Sequence, residues 1–311
     1  MVLLRSRVHL DQLSLVLSLL WLIASPPLVS GHFRPPPTFS YNGGLLLTGK
    51  LDLSIFFYGA VGRTQKRVIR SFIKSLNHGG GTPKPRVTSW WDMIESYQST
   101  ASPDHTAPKI AVKVVSQITD NSYSLGKVIT KDFIKSMVKT ATAGKPPSNL
   151  VVIFTDKQCA VSALCRGKCY DHGVIDNQPY LIVGNPEVEC PGACAWPFVK
   201  SNYGPPGITL KPPNGNPMVD AILVNFAAGL AAAVTNPFNT GFSKPGPKTW
   251  PLEASTVCNG IFARGAFPGN PGKVALDGKS GGAFNAHGLN GMKFLLPALW
   301  NPRTSSCWTL M

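Results

Sequence analysis

Apolar and polar side chains alternate along this chain with two distinct periods. Residues 64–76 place Val68, Ile69, Phe72, Ile73 and Leu76 at helical spacing with basic residues on the other side. Thr64 stands at the cap position and Asn77-His78-Gly79 at the stop, which predicts a helix. The same period predicts helices over 90–97 and 130–142. Residues 51–58 (LDLSIFFY) alternate, turn aromatic and end at Gly59, which predicts a strand. Further strands are expected over 110–115, 150–154 and 180–183. Residues 218–234 are apolar on nearly every side, a pattern shared by membrane spans and buried core helices. Asp220, Asn225 and the small residues Ala227, Ala228, Gly229, Ala231, Ala232 and Ala233 favour close packing, so this segment reads as a central core helix. A strand followed by a helix at the start of the folded region predicts an α/β (α+β) fold, a mixed sheet packed by helices.

The ends of the chain differ from its middle. Residues 1–31 have the order of a cleavable secretory leader: Arg5 and Arg7, an apolar run over 13–24, Pro26-Pro27, then small residues up to Gly31. The apolar run falls short of the roughly 20 residues a bilayer span requires. Residues 32–42 are proline-rich and read as an extended arm. From Cys190 onwards Pro and Gly are frequent and long loops are expected, interrupted by the core helix. No internal repeat or Ser/Gly linker divides 32–311, so one domain is expected, with a loop-rich carboxyl-terminal half stabilised by disulfides.

Charge and cysteine content add two expectations. The chain holds 30 Lys plus Arg against 15 Asp plus Glu. Loss of Arg5, Arg7 and Asp11 with the leader leaves 28 basic and 14 acidic residues. Outside a cell this excess either attracts acidic polymers such as uronic-acid polysaccharides or serves general solubility. The basic residues form no run and do not interleave with aromatics, which argues against a nucleic-acid partner. No N-glycosylation sequon is present. Seven cysteines occur, all beyond the leader. In an oxidising compartment they predict disulfides among Cys165, Cys169, Cys190, Cys194, Cys258 and Cys307, with Cys159 unpaired. The expected arrangement is nested: Cys165 with Cys194, Cys169 with Cys190, and Cys258 with Cys307.

Several ordered blocks carry a family likeness. They are Trp90-Trp91, Tyr123-Ser124-Leu125-Gly126-Lys127, Val183-Gly184-Asn185, and above all Cys190-Pro191-Gly192-Ala193-Cys194-Ala195-Trp196-Pro197-Phe198. Others are Tyr203-Gly204-Pro205, Pro213-Asn214-Gly215, Asp220, Thr235-Asn236-Pro237-Phe238, Pro251-Leu252-Glu253-Ala254, and a final stretch from Asn285-Ala286 through Asn290-Gly291 to Leu299. Together they span nearly all of 40–311. On these blocks the chain resembles the plant EXORDIUM family, also described by a phosphate-induced conserved region. Cys159 and Val199 depart from the pattern. The resemblance implies a secreted, apoplastic, wall-associated protein linked to brassinosteroid-responsive growth and cell expansion. It implies no established reaction and no cofactor.

The search for chemistry centres on the core helix. Fold analogy likens it to the active-site helix of zincin metallopeptidases, where His-Glu-x-x-His sets two imidazoles one turn apart around zinc. Here Ala228 and Gly229 fill the His and Glu positions and Ala232 the next ligand position. Alanine and glycine bind no metal, so this is either a zincin-like scaffold without its chemistry or simply a small-residue packing helix. His32, His78, His105, His172 and His287 are widely separated. Asp171-His172 is the best local polar pair, with His172 expected on a loop surface. Gly278-Lys279-Ser280-Gly281-Gly282 matches a nucleophile elbow, but Gly281-Gly282-Ala283-Phe284-Asn285 follows where the elbow needs a helix, and no acid comes after Ser280. Glu187, Glu189, Asp220 and Glu253 are the acids available for a glycosidase pair. Trp90, Trp91 and Trp196 would stack sugars if exposed.

Three functions remain open on sequence. The first is a non-enzymatic wall protein that promotes expansion, partnered by acidic wall polysaccharide or an extracellular protein. The others are a hydrolase using an unrecognised carboxylate site, and a pectin-binding module. No membrane span is expected once the leader is removed.

Overall fold

The computed structural model describes residues 38–202, 205, 207–246 and 250–311. The expected leader and residues 32–37 of the arm lie outside the described residues. A five-stranded sheet forms the centre, built from β1 (Lys50–Tyr58), β2 (Ala111–Asp120), β3 (Leu150–Thr155), β4 (Tyr170–Ile175) and β5 (Gln178–Val183). Its order is β2-β1-β3-β5-β4. The first four strands in that order run parallel and β4 closes one edge antiparallel to β5.

Alternation along the strands sorts two cores onto opposite faces. Leu51, Leu53, Ile55 and Phe57 of β1 join Leu150, Val152 and Phe154 of β3 on one face. Helices α1 (Arg63–Asn77), α2 (Val87–Ala101) and α6 (Pro217–Thr235) cover it. Phe56, Tyr58, Val151, Ile153 and Ile182 point to the other face, covered by α3 (Lys131–Thr142). Because these strands are buried on both faces they read as near-continuous apolar runs, as β3 does. Two single-turn helices, α4 (Pro186–Glu189) and α5 (Pro191–Cys194), follow β5.

The expected fold class holds: a mixed α/β sheet packed by helices, with the three disulfides beyond β3. Each expected helix and strand exists, most of them longer than their sequence signal. Two local expectations need correction. Gly62, not Thr64, caps α1, and no side chain bonds its first amides. The cysteine-rich stretch after β3, expected as loop, contains β4; its Asp171-His172-Gly173 centre breaks the apolar alternation that marks a strand.

Helix α6 is apolar all round because it is packed on two sides. Ile222, Leu223, Phe226 and Leu230 belong to the core under the sheet. Ala221 and Val224 face a third cluster with Ala195, Phe198, Phe262 and Leu295. It is long and apolar enough to cross a membrane, yet 89% of its most apolar window is buried in the globule, so it is a core helix. Asn216 caps it, its side chain accepting from the amides of Met218 and Val219, with Pro217 in the first turn. Phe226 meets Phe154 and Phe72 edge-on at 5.0 and 5.8 Å.

The carboxyl-terminal segment wraps this core with short two-stranded ladders. Buried Asn285 holds three backbone groups that no sheet satisfies: its Nδ2 donates to the carbonyls of Phe262 and Leu296, and its Oδ1 accepts from the Leu296 amide. Trp90 and Trp91 lie in the core, donating to the carbonyls of Pro297 and Ile110. Stacking on sugar is therefore closed to both. Trp196 is half-buried against Phe262, and Val199 packs in the same cluster, which accounts for an apolar residue at that position. The described part of the arm is extended, with Ser40–Tyr41 paired antiparallel to Phe242–Ser243.

Candidate functional site

The cysteines fix the surroundings of β4. Cys165 bonds Cys190, Cys169 bonds Cys194 and Cys258 bonds Cys307. The six expected partners are thus paired, but the nested order is overturned. The first two bridges have the same sequence separation of 25, so segment 165–169 runs alongside 190–194 in the same direction. A nested pairing requires the two segments to run head to tail. Cys159 is free and buried, its Sγ 3.3 Å from Asp156 Oδ1. Burial, then the Asp156 carboxylate, pushes its thiol up to about 12. Burial and a raised thiol both disfavour the thiolate, the form that reacts.

Strand β4 leaves this stapled turn and sends Tyr170 and His172, two residues apart, to one face. His172 does not reach the surface, as the loop reading expected, but is buried against Glu253. Its Nε2 lies 2.8 Å from Glu253 Oε1, with side-chain exposures of 6% and 8%. The same carboxylate oxygen accepts from Asn236 Nδ2 at 2.7 Å, and Asn236 Oδ1 accepts from the Gly241 amide. Asn236 is the C-cap of α6, so the network ties the helix end, an edge strand and the 251–256 turn into one unit. Burial alone favours a neutral imidazole. The charge and hydrogen bond of Glu253 outweigh it and hold His172 above its ordinary value. Next to it Asp171 pairs with Lys168 at 3.0 Å, and that ammonium lies 5.3 Å over the Trp250 ring.

The helix positions in question lie beside this cluster. A Cβ added at Gly229 would stand 2.6 Å from Leu181 Cδ1 and 3.0 Å from the Tyr170 ring. Ala232 is fully buried and Ala228 half-buried. Zinc does not fit these residues: they offer no ligand atom, and the place of a catalytic glutamate is filled by β4 and β5. Among the described residues no group of three His, Cys, Asp or Glu side chains could hold a metal ion.

A carboxylate-held imidazole is the arrangement that orients a general base. Here His172 Nδ1 is buried with no hydrogen-bond partner among the described residues. The pair joins β4 to the 251–256 turn and, through Asn236, to the end of α6. Of the four acids available for glycoside hydrolysis, Glu187 and Glu189 share α4, Asp220 opens α6 and Glu253 lies beyond its end. Glu187 is exposed and paired with Lys157, and Glu189 lies 3.8 Å from the Cys165 sulfur. Asp220 sits in the first turn of α6, and Glu253 bonds the C-cap Asn236, a helix rise of about 24 Å further on. Burial raises Asp220 to about 6, opposed by two donors from Asn214. Ser280 occupies a hairpin turn between Ala275–Leu276 and Ala283–Phe284, its hydroxyl donating to Asp277. It is no nucleophile elbow.

The family model described as the phosphate-induced protein 1 conserved region matches residues 39–310. The chain belongs to this EXORDIUM family. It is 36% identical to Protein EXORDIUM of Arabidopsis thaliana over 312 residues, covering 96% of this chain and 98% of the relative. It is 37% identical to Protein EXORDIUM-like 2 of the same plant over 287 residues, 89% and 90% of the two chains. Protein PHOSPHATE-INDUCED 1 of Nicotiana tabacum is 36% identical over 283 residues, 87% and 88% of the two. No solved structure matches.

Asn236 and Glu253 stood within the family blocks, yet nothing in the sequence joined them to His172. Their contact spans 81 residues. The one local sign was Tyr170 and His172 at strand spacing, which the adjoining cysteines and glycine obscured.

Proposed function

We propose that this protein acts outside the cell, in the plant wall, as a non-catalytic participant in brassinosteroid-linked cell expansion. The observation that carries the non-catalytic reading is Gly229, where packing by Leu181 and Tyr170 leaves no room for the glutamate a zincin requires. Alanine at 228 and 232 removes both ligands. The extracellular reading rests on the leader pattern of 1–31 and on three disulfides, which persist in oxidising compartments. The basic excess favours residence among acidic wall polymers.

Metal analysis of the purified secreted protein tests the central point. The expected zinc content is far below one per chain; stoichiometric zinc refutes it. A fluorescent fusion carrying residues 1–311 is expected in the wall and one lacking 1–31 inside the cell.

A further inference from the structure

One surface feature takes no part in the network around His172. Between the α1–α2 connection and the 277–293 hairpins lies a groove of about 790 Å³. That size falls in the ordinary range of ligand sites. Gly80 and Gly81 form part of one wall, and Gly278, Gly288 and Gly291 part of the other. Where these glycines line it, backbone polar groups are left within reach of a flat, hydroxyl-rich chain. The walls are held in place: the Asp277 carboxylate accepts from the Lys279 and Ser280 amides, His287 N donates to Pro85 O, and Leu289 N to Ser75 Oγ.

The charge of this groove is positive. Asp277, the one acid lining it, is neutralised by Lys293. Lys279 is exposed and has no carboxylate partner among the described residues. Arg86 lies alongside, its Nε donating to Thr82 O at 2.7 Å. His287 also lines the groove, its imidazole held below its ordinary value first by burial and then by Lys293.

We propose that this groove binds a carboxylated polysaccharide, a chain of uronic-acid sugars. With Lys293 paired to Asp277, Lys279 is the lining cation left for a ligand, and a polymer with one carboxylate per sugar can meet it with a single charge. A polyphosphate or nucleic acid calls for several adjacent cations or aromatic platforms, and neither lines the groove. The inference rests on the wall location proposed above but not on the absence of catalysis.

The test uses the full secreted protein and defined oligogalacturonates, with the fully methyl-esterified oligomer as the uncharged twin. Binding is measured at low and at 0.5 M salt for the wild type, Lys279→Glu and Lys145→Glu. Lys145 is exposed beyond α3, on the far side of the sheet, and its variant makes the same change in net charge. Lys279→Glu is expected to bind roughly three- to tenfold more weakly at low salt, the scale for turning an exposed opposite-charge pair into a like-charge pair. Lys145→Glu is expected within twofold of wild type, and the His287 titration to move upward when oligomer is bound. Equal losses in both variants, equal binding of the esterified oligomer, or no binding each overturn the groove. Cleavage of the oligomer would refute the non-catalytic reading while leaving the groove standing.

Discussion

Gly229 is the position where helix propensity and packing oppose each other most directly. It lies in the interior of a 19-residue helix, where glycine costs about 0.8–1.0 kcal/mol relative to alanine. Gly229→Ala therefore has a local gain available. Against it, the new methyl would stand 2.6 Å from Leu181 Cδ1 and 3.0 Å from Tyr170 Cδ2 and Cγ, where carbon pairs rest at roughly 3.5–4.0 Å. Leu181 and Tyr170 belong to hydrogen-bonded strands and are both buried, so neither retreats freely. Overpacking of this kind costs about 1–3 kcal/mol. The difference is a net loss of roughly 1 kcal/mol, or about 2–4 °C in midpoint for a domain of this size. Gly229→Glu adds a long side chain and an unpaired buried carboxylate, a loss above about 4 kcal/mol. Scanning calorimetry with urea titration reads both. Gly229→Ala that melts 2 °C or more above wild type would refute the reasoning. It would show space at the helix–sheet contact and remove the steric argument against a catalytic glutamate there.

Two buried acid–base groups make stability fall as pH rises. Asp220, raised by burial to about 6, is most stabilising when protonated; its contribution declines from the unfolded value of 3.8 up to pH 6, by up to roughly 3 kcal/mol at ~1.4 kcal/mol per unit. His172, held above 6.5 by Glu253, contributes fully below pH 6.5 and loses that contribution as pH rises through its folded value. Urea midpoints should therefore fall from pH 4 to 8, and Glu253→Gln should flatten the upper part; an unchanged upper slope would contradict the pairing. Non-reducing peptide maps should join Cys165 to Cys190 and Cys169 to Cys194, and a Cys165–Cys194 peptide would contradict the structure. Replacing Cys258 and Cys307 by serine should cost about 4 kcal/mol by the chain-entropy relation for a loop of about 50 residues. Cys159 should give no reaction with a disulfide reagent in the native protein and one thiol per chain in urea; rapid native labelling would contradict its burial.

How legible each element was depended on the range of the interactions that form it. Helix α1 and strands β1, β3 and β5 were visible because repeating apolar positions reflect local geometry facing a core, which any neighbour can supply. The same holds for α6, whose small residues already spoke for a packed interior. The family, too, was legible, because its blocks are linear. Strand β4 was not, since an edge strand with Asp171, His172 and Gly173 acquires its pairing only from β5.

Tertiary structure decided the remaining matters. The order β2-β1-β3-β5-β4 is set by crossovers, and the direction of two segments past each other, not their spacing, chose Cys165–Cys190 over Cys165–Cys194. Sequence alone determined that Ala228, Gly229 and Ala232 cannot ligate a metal. That Gly229 has no space for anything larger needed Leu181 and Tyr170 brought against it by the sheet. The His172–Glu253–Asn236 network likewise joins three segments distant along the chain, and burial makes those contacts matter by removing the water that would otherwise compete for them.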